Sequence, residues 1–445
     1  MISAPQPEAV EAGIEVLKAG GNLIDATVCA ALVQTAVDPQ MCGIAGFGNI
    51  QIFLPEKGVH TTFDFHGRAP KAVKSDIWES LIEREAEDGW GFILSGRENE
   101  FGYGSISTPR TLATLDTILN LYGTRSLKEL IQPAIEYCRN GVLIRPHMSS
   151  YWNMPATAGR DPNISMVNKF KETQKIYCDE SGLVKKVGDL LLNPDMGQLY
   201  QDIGNYGVNH FYSGEISQRI ILDMQENGGL LAIEDLQECT PEEHPPLWGT
   251  FFDYKIATNN PPGGGVMLVE MLNILEEFDL KGMGHNSVEY IKVVSEVMKI
   301  ATIDKDTKVG DPKFTVVPTD QLTSKSYAKA HAEKIKRGDR AVVNRVNKGN
   351  PESKCTTQLV LADVSGNCVT MTHTLGQPSG VVTEGLGFMY NGAMTVFDPR
   401  PGRPGSLAPG KARFTAISPT IIFKDDLPYL ILGAPGATYI TMGNL

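Results

Sequence analysis

A chain of 445 residues, 42% hydrophobic and 21% charged, has a globular composition with ample material for a large core. Its net charge of −12 disfavours nucleic acid and membrane surfaces as partners. The seven cysteines are odd in number and none are spaced as metal ligands, which argues against a disulfide framework, and no run of about 18 apolar residues suggests a spanning helix.

Residues 7–19 read as a helix, with Val10, Ile14 and Leu17 at helical spacing, Pro7 in the first turn and Gly20-Gly21 ending it. A second, apolar helix follows over 23–37. A glycine-bearing stretch, 42–48, leads into a strand over 49–54, with 61–65 as its hairpin partner. Helices are expected over 111–122, 127–140, 214–227 and 265–278, with Asn140-Gly141 as a turn and 261–265 as a tight loop. Residues 306–355 read as a polar, loop-rich linker. Two strands follow, 356–363 and 368–374, around the hairpin signal Ser365-Gly366-Asn367, and further strands at 388–390, 417–423 and 429–432. Helices first and strands last favour a layered α+β fold over a doubly wound sheet.

Several chemistries lack their motifs. The glycines at 43–48 have a helix before and a strand after, the reverse of a dinucleotide site, and 261–265 lacks the Lys-Ser/Thr of a phosphate loop. The histidines are scattered without a pair at i, i+4, and no Gly-x-Ser-x-Gly elbow occurs, so no metal or cofactor is expected. The junction Lys354-Cys355-Thr356-Thr357 is different, because a polar loop ends there and a strand begins on a hydroxyl. An N-terminal threonine is a complete small catalyst. Its α-amino group, with a pKa near 7.7–8.0, can take the proton of its own hydroxyl as that oxygen attacks a carbonyl. Freeing it requires attack on the carbonyl of Cys355. By itself, a threonine opening a strand is ordinary β-propensity.

The surrounding residues change that reading. The stretch 356–374, Thr-Thr-Gln-Leu-Val-Leu-Ala-Asp-Val-Ser-Gly-Asn-Cys-Val-Thr-Met-Thr-His-Thr, resembles the signature of the γ-glutamyltranspeptidase family. So do Lys-Ala-Gly-Gly-Asn-Leu-Ile-Asp-Ala at 18–26, Phe-Tyr-Ser-Gly-Glu at 211–215, Gly-Asp-Pro at 310–312, Ser-Pro-Thr at 418–420 and Gly-Ala-Pro-Gly at 433–436, all in the family's order. The resemblance implies a four-layer αββα sandwich of the N-terminal nucleophile hydrolase type. It implies a precursor cut between Cys355 and Thr356, with 1–355 as the large-subunit portion and 356–445 as the small-subunit portion of one catalytic domain. Thr356 would be the nucleophile and Thr374 the hydroxyl that orients it. Backbone N–H groups of Gly436 and Ala437 would form the oxyanion hole.

The departures concern substrate. The family's arginine for the γ-glutamyl carboxylate, in D-F-R-E-T-A-P, is replaced by His66 in Asp-Phe-His-Gly-Arg-Ala-Pro at 64–70, with Arg68 two residues on. Gly376 stands for an asparagine, Ala393 and Val396 for the residues that hold the α-amino group, and Thr415 and Ala416 for paired serines. The expected substrate is a small amide or peptide-like molecule with an acyl group other than standard γ-glutamyl. Arg68, Arg403 and Arg413 are candidates for a different carboxylate. The alternatives are a γ-glutamyl enzyme with a clamp rebuilt around His66 and Arg68, and an uncleaved, non-catalytic homologue. Measured against the family, both ends read as those of a fragment. The missing secretory signal tilts the expectation towards the cytoplasm, for a start that need not be the natural one. A homo-oligomer stays open.

Overall fold

The computed structural model describes residues 1–87, 91–157, 159–343 and 355–445. Two antiparallel sheets face each other. One contains β1 (Ile2–Ser3), β2 (Phe47–Leu54), β3 (Val59–Phe65), β4 (Glu242–His244), β7 (Cys355–Ala362) and β8 (Cys368–Gly376), in the order β1-β7-β8-β2-β3-β4. The other contains β5 (Leu247–Phe251), β6 (Tyr254–Thr258), β9 (Thr420–Lys424) and β10 (Leu427–Leu432), in the order β10-β9-β6-β5. Phe53, Ala362 and Cys368 of the first sheet pack on Ala257, Ile421 and Phe423 of the second, and Phe53 and Phe423 meet edge to face at 5.2 Å.

Helices cover both outer faces. Helices α1 (Pro7–Lys18) and α2 (Leu23–Val37) lie on the first sheet, in one core with Ile50, Leu359, Leu361, Val369 and Met371. All fifteen residues of α2 are buried, as an apolar helix between layers should be. It is capped by Asn22, whose side chain accepts from Ile24 and Asp25 N–H groups while Asp25 accepts from Asn22 N–H. On the far side α3 (Gly265–Leu275) packs on β5 and β6 and against α4 (Val288–Lys308) and α5 (Lys325–Lys336). The architecture is the expected α+β, αββα sandwich.

Local differences from the sequence reading have physical causes. The helix expected over 127–140 is two pieces, Leu127–Leu130 and Gln132–Asn140, because Pro133 has no N–H to continue the ladder. The strand expected at 417–423 begins at Thr420, after Pro419. The largest correction is the linker over 306–355. Part of it is α5, which buries Ala328, Ala332 and Ile335 at helical spacing, a stripe diluted in the sequence by lysines. The remainder of that linker at 344–354 lies outside the described residues.

The hairpin β7–β8 is pinned from beneath by a buried polar cluster. Gln34 of α2 donates to Gln6 at 2.7 Å and to the Thr357 hydroxyl at 3.0 Å, and its carbonyl oxygen lies 2.9 Å from His373 Nε2. Burial pushes His373 down from 6.5 to about 3, so the ring is neutral and donates Nε2–H to Gln34. A histidine depressed in the fold contributes its full stability above about pH 6.5, and that contribution is lost as pH falls towards its folded value. His373→Gln, which cannot titrate, should therefore show a shallower loss of stability between pH 6.5 and 4.5 than the unmodified chain. Urea midpoints at a series of pH values test this, and parallel slopes would refute it.

Candidate functional site

Thr356 is the second residue of β7, where the hairpin register breaks. Cys355 pairs with Gly376 and Thr357 with His373, so Thr374 and Leu375 together oppose Thr356. A bulge of this kind bends the strand and re-aims side chains. Here it sets Thr356 Oγ1 to donate to Thr374 Oγ1 at 3.2 Å, while Thr374 Oγ1 accepts from the N–H of Gly376 at 2.8 Å. Both threonines are nearly buried. Strand alternation sends Thr357 down to the Gln6–Gln34 cluster and Thr356 up between the sheets. Next along that upper face, Gln358 donates to Thr370 at 2.7 Å and accepts from Thr372, and Thr370 donates to Leu432 O at 2.8 Å. The nucleophile candidate thus sits at the head of a fully hydrogen-bonded polar row. Lys354, on the other side of the junction, lies outside the described residues.

Thr356 and Thr374 open onto a cavity of about 550 Å³. Gly376, Thr415, Ala416 and Ala437 line it as well. Ala437 follows Gly436 in the loop after β10, and both have positive φ, 130° for Gly436 and 51° for Ala437. A non-glycine in that region is strained, which is common where a backbone N–H must be aimed. The adjoining wall carries Phe47 and Arg413. The Arg413 guanidinium lies over the Phe47 ring, 5.2 Å from its centroid, and Arg413 Nε donates to Phe414 O. Burial lowers Arg413 to about 9, which leaves it cationic at neutral pH. Nearer solvent, Asp398 holds Arg400 through two 2.8 Å bonds, and Arg400 also meets Glu85 at 3.1 Å.

The structure does not bring His66 and Arg68 to the cavity wall. His66 is buried against Asp64, its Nδ1 2.7 Å from the carboxylate. Burial alone would raise Asp64, but His66, its backbone N–H and Arg110 together hold it below the usual carboxylate value. Arg68 pairs with Glu242 and with Asp311 at 3.2 Å and donates to Gly410 O. Their segment matters in another way. Ala69 N–H donates to Lys411 O and Gly410 N–H to Ala69 O, while Arg413 N–H donates to Gly67 O, so the 67–69 loop holds the backbone that carries Arg413. Sequence reasoning did not find Phe47 or the Asp398–Arg400 pair, and no motif marks either one.

A hydroxyl at the head of a central strand, facing a strained loop across a cleft between two sheets, is the arrangement of the N-terminal nucleophile hydrolases. The sequence profile described as Gamma-glutamyltranspeptidase matches residues 9–445, and the chain belongs to that family of hydrolases and acyltransferases. It is 30% identical to the glutathione hydrolase proenzyme of Escherichia coli strain K12, over 99% of this chain and 76% of that protein. It is 32% identical to the acylase ACY 1 proenzyme of Pseudomonas sp. strain V22, over 99% and 77%. Among solved structures, the cephalosporin acylase of Bacillus halodurans matches with a TM-score of 0.85 at 25% identity, over 100% of this chain and 78% of that one. The γ-glutamyltranspeptidase of Helicobacter pylori matches at 0.67 and 29%, over 77% and 92%.

Gly376 has φ +74°, and a Cβ there would come within 3.0 Å of the Phe47 ring and 3.5 Å of Arg413 Nη1. Gly376→Ala should thus destabilise the chain by about 1–3 kcal/mol, the scale of a left-handed non-glycine in a packed wall. Urea unfolding measures it, and an unchanged midpoint would contradict the tight packing of this wall.

Proposed function

We propose that the chain is a self-cleaving threonine amidase or acyltransferase with Thr356 as its nucleophile. The Thr356 hydroxyl adds to the carbonyl of Cys355, and the Cys355–Thr356 amide bond breaks to give an ester. Water opens the ester, leaving a carboxylate on Cys355 and a free α-amino group on Thr356. In turnover, that amine takes the hydroxyl proton, directly or through water, as Thr356 Oγ1 attacks a substrate amide. Charge developing on the substrate oxygen is met by the N–H groups of Gly436 and Ala437. The carbon–nitrogen bond then breaks, the leaving amine takes the proton, and an acyl ester on Thr356 is resolved by water or an amine. Thr374 orients the attacking oxygen.

The observation that carries this reading is the Thr356–Thr374 hydroxyl pair, held at 3.2 Å by a strand irregularity at the wall of a cavity. The names of relatives as proenzymes support the cleavage step. On this reading 1–355 and 356–445 are the two portions of one precursor, and strands from both would build each sheet. Burial of His66 on Asp64, with Arg68 engaged by Glu242 and Asp311, favours an acyl group other than γ-glutamyl over a clamp rebuilt around these two residues.

Cleavage at this junction divides the chain into fragments of 355 and 90 residues. A denaturing gel should show both, and Thr356→Ala should run as one band without amidase activity. Thr374→Val keeps the shape and removes the hydroxyl; it should lower kcat by about a hundredfold, the cost of losing one oriented polar contact at the reacting atom. A Thr356→Ala protein that still cleaves itself or hydrolyses amides would refute the assignment.

A further inference from the structure

We infer that Asp38 is a positioning residue for Thr356: its carboxylate sets the direction of a buried hydrogen-bond chain that clamps Thr357 and His373, the last regular pair of the β7–β8 hairpin before its break. This rests on the proposed role of Thr356. Asp38 directly follows α2, is buried, and is not among the described residues that line the cavity. Three side chains reach its oxygens. Gln6 Nε2 lies 2.6 Å from Oδ2, Gln40 Nε2 lies 2.7 Å from Oδ1, and His147 Nε2 lies 3.1 Å from both. A carboxylate only accepts, so all three must donate.

The direction of every later bond follows from that one anion. With Gln6 Nε2 committed to Asp38, Gln6 Oε1 accepts from Gln34 Nε2 at 2.7 Å and from the Thr357 hydroxyl at 3.0 Å. Gln34 Nε2 also lies 3.0 Å from Thr357 Oγ1 and 3.3 Å from Gln358 O, which leaves the Gln34 carbonyl oxygen for His373 Nε2 at 2.9 Å. The ring must then carry its proton on Nε2. Among the described residues nothing bonds to His373 Nδ1, so no second contact selects the tautomer. An amide in place of the carboxylate could donate to Gln6 as well as accept from it. Both glutamines could then turn over, and the His373 proton would move to Nδ1.

Thr357 lies on β7 and His373 opposite it on β8, so the chain from Asp38 holds both strands at the step where the register breaks. The next residue on each strand is Thr356 and Thr374, whose hydroxyls must meet. A misplacement of 1 Å at a reacting atom can cost about a hundredfold in rate, so a shift of a few tenths of an ångström is felt. Stability does not call for an anion at this place. Position 38 lies past the C-terminal end of α2, where the helix dipole disfavours negative charge, and a buried carboxylate must be desolvated.

The experiment takes two readouts on the full-length chain. Nitrogen-15 NMR of the eight histidines reports each ring's tautomer, with His373→Gln assigning the signal of His373 and a Thr356→Ala background keeping every sample uncleaved. Self-cleavage of chains with Thr356 intact is timed on denaturing gels after pulsed cell-free synthesis. We expect a neutral His373 with its proton on Nε2. Asp38→Asn should populate the Nδ1–H form and slow self-cleavage by about tenfold. Gln40→Met removes a donor to Asp38 that is not on the path to Thr357; it should leave the tautomer unchanged and the rate within about threefold. A merely structural role for Asp38 would move the rate without the tautomer, or let the two substitutions act alike. An Nδ1–H ring with Asp38 present, an unchanged tautomer or rate in Asp38→Asn, or equal effects of the two substitutions would overturn the inference. If Asp38→Asn does not fold, Gln6→Met decides: it cuts the chain between Asp38 and Gln34 and should shift the tautomer and the rate in the same way, and no change in either would overturn it. Self-cleavage separates the two levels. If it requires Thr356 but is indifferent to Asp38, only this inference falls; if Thr356→Ala cleaves as the unmodified chain does, or the unmodified chain does not cleave, the parent reading falls and takes this one with it.

Discussion

A hydroxyl aimed at a carbonyl must be held within a few tenths of an ångström, and on the proposed reading that constraint falls on one contact, Thr356 Oγ1 to Thr374 Oγ1. Regular antiparallel pairing sets one residue opposite one, but the register break between Cys355 and Thr357 sets two residues of β8 against Thr356. An irregularity in a buried hairpin persists only if its surroundings fix it. Gln34, Gln6 and His373 do so from the helix side, and Gln358, Thr370 and Thr372 from between the sheets. Each buried polar group there that finds its partner avoids the cost of going unpaired, so the cluster specifies one register as well as stabilising it.

The same economy of contacts explains the cavity wall. The 64–70 segment, which in the family resemblance carries an arginine for the substrate, pairs its His66 with Asp64 and its Arg68 with Glu242 and Asp311. What the segment gives the cavity is backbone hydrogen bonds to 410–413. A cation therefore reaches the cavity from a neighbouring stretch of chain, over an aromatic ring from β2.

Much of this was legible in the sequence, for reasons that differ by element. Helix α1 announces itself by apolar spacing, Pro7 and Gly20-Gly21, and α2 by its apolar composition. The β7–β8 hairpin is marked by alternation around Ser365-Gly366-Asn367. Helix α5 was missed because its three buried positions are alanine and isoleucine among lysines, too weak a stripe to outweigh a polar composition. Of the site, Thr356, Thr374, Gly376, Thr415, Ala416 and Ala437 are placed by the ordered motifs around them, and all line one cavity. That Arg403 and Arg413 line that cavity while Arg68 does not was not legible, because it depends on contacts such as the pairing of the 67–69 loop with 410–413, some 340 residues apart, and no local pattern encodes them.

The most direct test of the central claim is mass spectrometry of the full-length protein quenched with acid during turnover of an amide substrate. The proposed chemistry predicts a fragment whose first residue is Thr356, carrying the added mass of the acyl group on that residue. An intact chain that turns over substrate with Thr356 unmodified, or an acyl group mapped to another residue, would contradict it.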